Sequence, residues 1–324
     1  IVWDISNAIL PQEVNDVDVS DRLRFNATGQ PDARYVIFNP EVLPAPELES
    51  IRNYSDILSL NPELLIVTPA EFSDAAQQLA AFRRTNDQLT AEVVIVDDIY
   101  DLMASGRKDL TAIRNLARYY YNKGSLRFLL LFGKGSFDYY GLLPFFSNYI
   151  PTYQSRNSLN PLDTYASDDY FGFMEEDEGE WLEEAGGNHT MDIGVGRLPV
   201  TNAAEAQAVV RKLIDYSDNR ASMADWRSRL LFVADDEDFN LHHRQSDQLS
   251  ILTDTTQQAF QNKRVFLGTF PQESAGGGQT SPKASEELNR QIRQGALVVN
   301  YTGHGNENTW TQEQILTKGM ISSW

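Results

Sequence analysis

The chemistry in this chain gathers where Ala296-Leu297-Val298-Val299-Asn300-Tyr301-Thr302 runs into Gly303-His304-Gly305. An aliphatic, β-branched run that stops at a polar side chain is the pattern of a buried parallel strand delivering that side chain to its carboxyl end. An imidazole titrates near neutrality, so His304 can take up a proton and return it. The flanking glycines add no Cβ bulk, and an N–H such as that of Gly305 can donate to an oxyanion. Two readings follow. Either this is half of an acyl-transfer site, or the histidine caps a strand end and is satisfied by its own loop.

A second polar strand end bears on that choice. Leu230-Leu231-Phe232-Val233-Ala234 stops at Asp235-Asp236-Glu237-Asp238. In one parallel sheet the two ends lie on the same edge, where Asp235 could orient the imidazole and fix its tautomer. The same acidic run would equally cap and solvate the start of a following helix.

Composition narrows the partners. With 27 basic and 46 acidic residues among 324, the net charge of −19 argues against nucleic acid and against anionic membrane surfaces. There is no cysteine, which excludes disulfides, thiolate metal sites and a cysteine nucleophile within these residues. Gly133-Lys134-Gly135-Ser136 lacks the spacing that wraps a phosphate and reads as a tight turn. The acidic block from Asp168 and Asp169 to Gly179 could hold a structural Ca²⁺ through oxygen ligands, or form a solvated acidic surface, since it lacks a regular Asp-x-Asp-x-Asp-Gly spacing. No cofactor is called for. His242 and His243 read as surface residues at a helix start or as substrate contacts, and His189 as an exposed loop residue. The start at Ile1 and the stop at Trp324 in a polar stretch mark an excised or processed piece.

The elements that must position these groups follow from periodicity. Ile1–Ile5 and Ala33–Phe38 alternate apolar and polar residues between turn-forming stretches, as short antiparallel strands do. They read as the tail of a β domain over residues 1–45, ending at the prolines Pro40, Pro44 and Pro46. From Leu64 the rhythm becomes strand and helix: strands at Leu64–Thr68, Val93–Val96 and Phe128–Phe132, helices at Glu71–Arg84 and Lys108–Asn122. Residues 137–200 are loop-rich and end in a strand and turn over Met191–Val200, and Thr201 or Asn202 can cap a helix reaching Asp218. Tyr216–Trp226 is a hinge to a second α/β portion, with strands at Arg229–Ala234 and Val265–Phe270 and helices at His242–Gln261 and Lys283–Gln294. This gives an α/β fold with a first subdomain over 46–222 and a second over 223–324 that carries His304 and stops before its sheet is finished.

Val299-Asn300-Tyr301-Thr302-Gly303-His304-Gly305-Asn306-Glu307-Asn308-Thr309-Trp310 resembles the histidine motif of gingipain-like cysteine peptidases. The resemblance continues through Leu130–Asp138, Pro151–Ser155, Ser167–Gly172, Gly194–Val200 and Phe232–Asp236, and is greatest to the PorU-type sortases of type IX secretion. It implies a caspase-like, three-layer αβα fold of two side-by-side subdomains after a β domain. It also implies His304 as general base and acid, the Gly305 N–H as oxyanion donor and Asp235 as the acidic support of the histidine. The family's nucleophile is a cysteine on the next strand, a few tens of residues beyond the histidine, which this sequence does not reach. What the resemblance implies for the parent is a surface enzyme of a Gram-negative outer membrane. It would cut carboxyl-terminal sorting domains from secreted cargo, work beside secretion-system components and use surface lipopolysaccharide as acceptor. Asp238–His243 shows no secure counterpart of the acidic residue with which gingipains select basic side chains, so Arg or Lys specificity is not expected.

Overall fold

The computed structural model describes the chain apart from residues 8–9, 28, 45–53, 145–146, 156–159, 161–163, 176–177, 179–189, 218–221 and 276–277. Pro46, His189, Glu176, Asp177 and Gly179 of the acidic block and part of the anticipated hinge therefore lie outside the described residues. The chain forms two compact units, Ile1–Ser59 and Leu60–Trp324.

In the first unit, β1 (Val2–Asp4) pairs antiparallel with β2 (Gln12–Glu13) and with β3 (Tyr35–Ile37), in the order β2-β1-β3. The alternation read in the sequence is this pleat: Val2 is buried, and Trp3 meets Phe38 edge-on at 5.6 Å. A short helix, α1 (Ser55–Ser59), closes the unit.

The second unit holds two parallel sheets flanked by helices. The first has the order β5-β4-β6-β9, formed by β4 (Leu64–Thr68), β5 (Ala91–Ile95), β6 (Phe128–Phe132) and β9 (Gly194–Leu198). Every residue of β4 is buried, as a strand covered on both faces requires, and each such aliphatic side chain contributes roughly 1.5–3 kcal/mol. Leu64 and Ile66 share a core with α2 (Ser73–Asn86) and α5 (Ala203–Ser217), while α3 (Val96–Ala104) packs on α4 (Leu110–Asn122). A small antiparallel pair, β7 (Tyr153–Gln154) and β8 (Ala166–Ser167), lies in the loop-rich stretch.

Caps set the helix starts. Asp109 accepts from the Thr111 N–H at 2.8 Å, so α4 begins at Leu110. The Asn202 side chain accepts from the Glu205 N–H, and the Glu205 carboxylate accepts in return from the Thr201 N–H and hydroxyl, bonds that hold its pKa below the usual range. The strand expected over Val93–Val96 ends one residue early, because Val96 opens α3 with Asp97 and Asp98 in its first turn.

The second sheet has the order β11-β10-β14, with β10 (Arg229–Ala234) between β11 (Gln261–Phe266) and β14 (Val298–Thr302). Helix α6 (Glu237–Thr256) leads into β11, and α7 (Pro282–Gln294) into β14. Between them, β12 (Glu273–Ala275) and β13 (Gly278–Thr280) form a hairpin. After β14 the chain makes a second hairpin, β15 (Thr309–Trp310) and β16 (Leu316–Thr317), and a last turn of helix, α8 (Lys318–Ile321). Leu231 and Val233 face a core shared with Ala284 and Leu288 of α7 and with Ile315, whereas Phe232 and Ala234 pack with Phe266 on the other face. The strand expected at Val265–Phe270 starts and stops four residues earlier. Its first half is polar, but Asn262 donates to the Ser250 carbonyl, and Arg264 reaches the Ser250 hydroxyl and Asp254, so those side chains are satisfied against α6.

Candidate active site

Register builds the site. Ala234 of β10 lies opposite Thr302 of β14, and the Asp235 N–H donates to the Thr302 carbonyl at 3.1 Å, so the two chains leave the sheet side by side. Gly303 is what lets them stay together, because a Cβ there would strike the Asp235 Cβ and the Tyr301 hydroxyl.

Asp235 is fully buried and satisfied throughout. One carboxylate oxygen accepts from the Asp236 N–H at 2.8 Å; the other accepts from the His304 N–H at 3.1 Å and lies 3.2 Å from His304 Nδ1. A carboxylate out of water needs such donors to remain ionised. Helix α6 receives no side-chain hydrogen bond from its cap residue, Asp236. Buried Asp235 can hold a proton on Nδ1, the tautomer in which Nε2 is the acceptor. Glu237 also faces Nδ1, at 3.3 Å, and Asp238 faces Nε2, at 3.4 Å. The imidazole side chain is 51% exposed.

The backbone of His304 is held from the other side. Its carbonyl accepts from the Thr311 N–H at 3.0 Å and from the Tyr301 hydroxyl, and the Tyr301 ring stacks on Trp310 at 4.3 Å. Burial pushes the Tyr301 phenol above its ordinary value, so it stays a donor at any physiological pH. Gly305 bridges to Trp310, and among the described residues its N–H has no acceptor, which leaves it free to donate to an oxyanion.

Two features of this end were not read from the sequence: the backbone turn at Asp238 and the buried Glu313. Asp238, Phe239 and Asn240 take left-handed conformations, with φ of 51°, 56° and 61°, so α6 enters through a reversed turn that aims Asp238 at the imidazole. Asp and Asn visit this region occasionally, but Phe239 between them gives no such signal, and glycine is its usual residue. Glu313 is buried, and one of its carboxylate oxygens has no partner among the described residues; burial, with Asp236 and Asp235 nearby, raises its pKa. Of the two histidines left open above, His242 stands edge-on to His304 at 4.9 Å, while His243 packs on Phe266 at 4.6 Å.

Asp168 has a different occupation. Arg197 grips it with two hydrogen bonds of 2.7 and 2.8 Å, Thr152 adds a third, and Arg197 also donates to the carbonyls of Gly133, Ile150 and Pro151. The fork ties the loops of the first sheet to β9. Among the described residues, neither Asp168 nor Asp169 gathers with two other side chains at cation-binding separations. Gly133 and Lys134 donate their N–H groups to Leu198 and Val200, so this turn is closed by the end of β9.

The model of peptidase family C25 matches residues 57–324. The chain belongs to peptidase family C25. It is thus a member of a gingipain-type family of cysteine peptidases, and its parallel sheets flanked by helices are the caspase-like fold of that family. Among solved structures, dimeric latent PorU from Porphyromonas gingivalis is 29% identical over 49% of this chain and 16% of its own, with a TM-score of 0.43. A structure described as a protease is 16% identical over 83% of this chain and 51% of its own, with a TM-score of 0.53, a likeness of fold. The chain thus spans about half of one of these proteins and a sixth of the other. A comparison with curated proteins gave no match. In the C25 chain described here, the residues that meet at the ends of β10 and β14 are His304, Asp235 and Gly305.

Proposed function

We propose that this chain carries the acid-base half of a cysteine endopeptidase site, in which a thiolate from residues outside these 324 attacks the peptide carbonyl. The observation that carries the reading is the contact of His304 Nδ1 with a fully buried Asp235 at 3.2 Å, on a half-exposed ring followed by a Gly305 N–H that has no acceptor among the described residues. The thiolate forms a C–S bond to the carbonyl carbon, and the oxyanion takes a hydrogen bond from Gly305. His304 Nε2, having taken the thiol's proton as the thiolate formed, gives that proton to the leaving amine as the C–N bond breaks, and a thioester remains. An incoming water or amine then loses its proton to Nε2 as it attacks, and the thiolate departs.

The finer reading, supported by the motifs shared with PorU-type sortases, is that an amine is the preferred acceptor. The parent would act at the cell surface of a Gram-negative bacterium. It would remove carboxyl-terminal sorting domains from type IX cargo and join the new carboxyl end to an amine on surface lipopolysaccharide. Incubating the parent with a sorting-domain substrate and a soluble amine, with products read by mass spectrometry, tests this. An amide product supports transfer, and hydrolysed product alone makes the enzyme a plain secreted protease. No cleavage by the parent, together with unchanged cargo maturation in His304→Ala, makes it a scaffold that keeps the fold without the chemistry.

A further inference from the structure

His304 shares its outward nitrogen with a second histidine and a carboxylate. Its Nε2 lies 3.4 Å from Asp238 Oδ2, and His242 Nε2 lies 3.3 Å from the same oxygen, with the two rings edge-on at a centroid separation of 4.9 Å. One ligand atom from each of the three falls within 4.8 Å of the others. A tetrahedral zinc with bonds of about 2.0–2.1 Å sets its ligands about 3.3 Å apart, which is the spacing of both nitrogen-to-oxygen contacts.

Three further features favour a metal over a chance cluster. Both ring nitrogens of His242 are buried and make no hydrogen bond among the described residues, although an imidazole out of water ordinarily finds a partner. The other nitrogen of His304 already faces buried Asp235, the carboxylate–histidine arrangement that orients a metal-bound imidazole and raises its basicity. Glu237 adds negative charge beside the same ring. Two imidazoles and one carboxylate suit Zn²⁺ better than Ca²⁺, which prefers oxygen ligands throughout.

We infer that Asp238, His242 and His304 form a zinc site that locks the catalytic base. Zn²⁺ would bind His304 Nε2, His242 and one Asp238 oxygen, and leave a fourth position for water or for the attacking thiolate. While it is bound, the lone pair that must take the proton is occupied, so zinc is a reversible brake on catalysis. The braking role rests on the peptidase reading; the metal site does not.

The 324-residue chain suffices to test the site. Titration with CoCl₂, followed by the visible absorption that distinguishes tetrahedral from aqueous octahedral Co²⁺, should show one ion per chain that ZnCl₂ displaces. His242→Gln, His304→Ala and Asp238→Asn should each weaken binding about tenfold or more, the scale on which loss of even a supporting partner is felt. His243→Ala, whose ring packs on Phe266, should bind as the parent chain does. Asp238 is more than half exposed, so Asp238→Asn reports on the site even if a histidine variant misfolds, and circular dichroism verifies each fold. Absence of tetrahedral absorption, or affinity unchanged in His242→Gln and Asp238→Asn, overturns the site. Cobalt bound as expected by a parent that cleaves no peptide upholds the site and overturns the peptidase reading instead.

Discussion

In the proposed mechanism His304 transfers the proton while Asp235 orients and supports it, so their loss should be felt differently. In the complete parent, His304→Ala should lower kcat for peptide cleavage by about 10²-fold or more, the usual contribution of a positioned acid-base group. Asp235→Asn should cost less in kcat and leave KM unchanged, because the amide still fills the buried space between β10 and β14. Equal losses in the two variants would mean that Asp235 shares in proton transfer. Glu313 makes a second prediction, on stability. Its carboxyl has a raised pKa in the fold, chiefly through burial, so the stability it contributes is complete below the ordinary glutamate pKa and is lost as pH rises through the raised value. As pH is raised from about 4 towards 7, the melting temperature of the natural chain should therefore fall relative to that of Glu313→Gln. Parallel pH profiles for the two proteins would assign the titration to another group.

At the scale of elements, much of this architecture was readable and the exceptions have causes. Leu64–Thr68, Phe128–Phe132 and Arg229–Ala234 are strands as their unbroken apolar runs predict, since a strand buried on both faces leaves no other pattern. β11 was displaced because its polar residues are satisfied by α6, a tertiary pairing that no local window contains. The meeting of Asp235 with His304 could be anticipated from one rule about parallel sheets. Its closeness could not, because it depends on the register of Ala234 with Thr302 and on the space that Gly303 leaves. The entry to α6 was invisible for the opposite reason: three left-handed residues in a row without glycine contradict local preference, and Phe239, which unlike Asp and Asn has no polar side chain to ease it, bears about 1–2 kcal/mol. Phe239 is 96% exposed, so Phe239→Gly removes about 1–2 kcal/mol of strain and no packing, against about 0.5–1 kcal/mol for the added freedom of the unfolded chain, and should raise stability by about 0.5–1 kcal/mol in urea unfolding. A loss of stability would mean that the turn is held by contacts of the Phe239 side chain. Gly295, which ends α7 at φ 79° with Trp226 against it, should respond in the other direction: Gly295→Ala places a Cβ 2.7 Å from the Trp226 Cβ and should cost about 1–3 kcal/mol.

Charge and an open sheet edge act against each other at the scale of the whole molecule. A net charge of −19 makes copies of the chain repel. Among the described residues β14 forms a ladder only with β10, so one row of its backbone donors and acceptors is unmatched, and Val298 and Val299 beside it are exposed. Such an edge is a template for pairing with another chain, and repulsion is what holds two copies apart. Repulsion is screened and edge pairing is not: the Debye length shrinks from about 30 Å at 0.01 M salt to about 8 Å at 0.15 M. The isolated chain should therefore be monomeric at low ionic strength and form dimers that grow with concentration as salt is raised, measured by light scattering behind a sizing column. Val299→Lys places a charge at the edge without touching the core and should keep the chain monomeric at both salt concentrations. A wild-type mass that ignores salt, or dimers that survive Val299→Lys, would show that β14 is not where the copies meet.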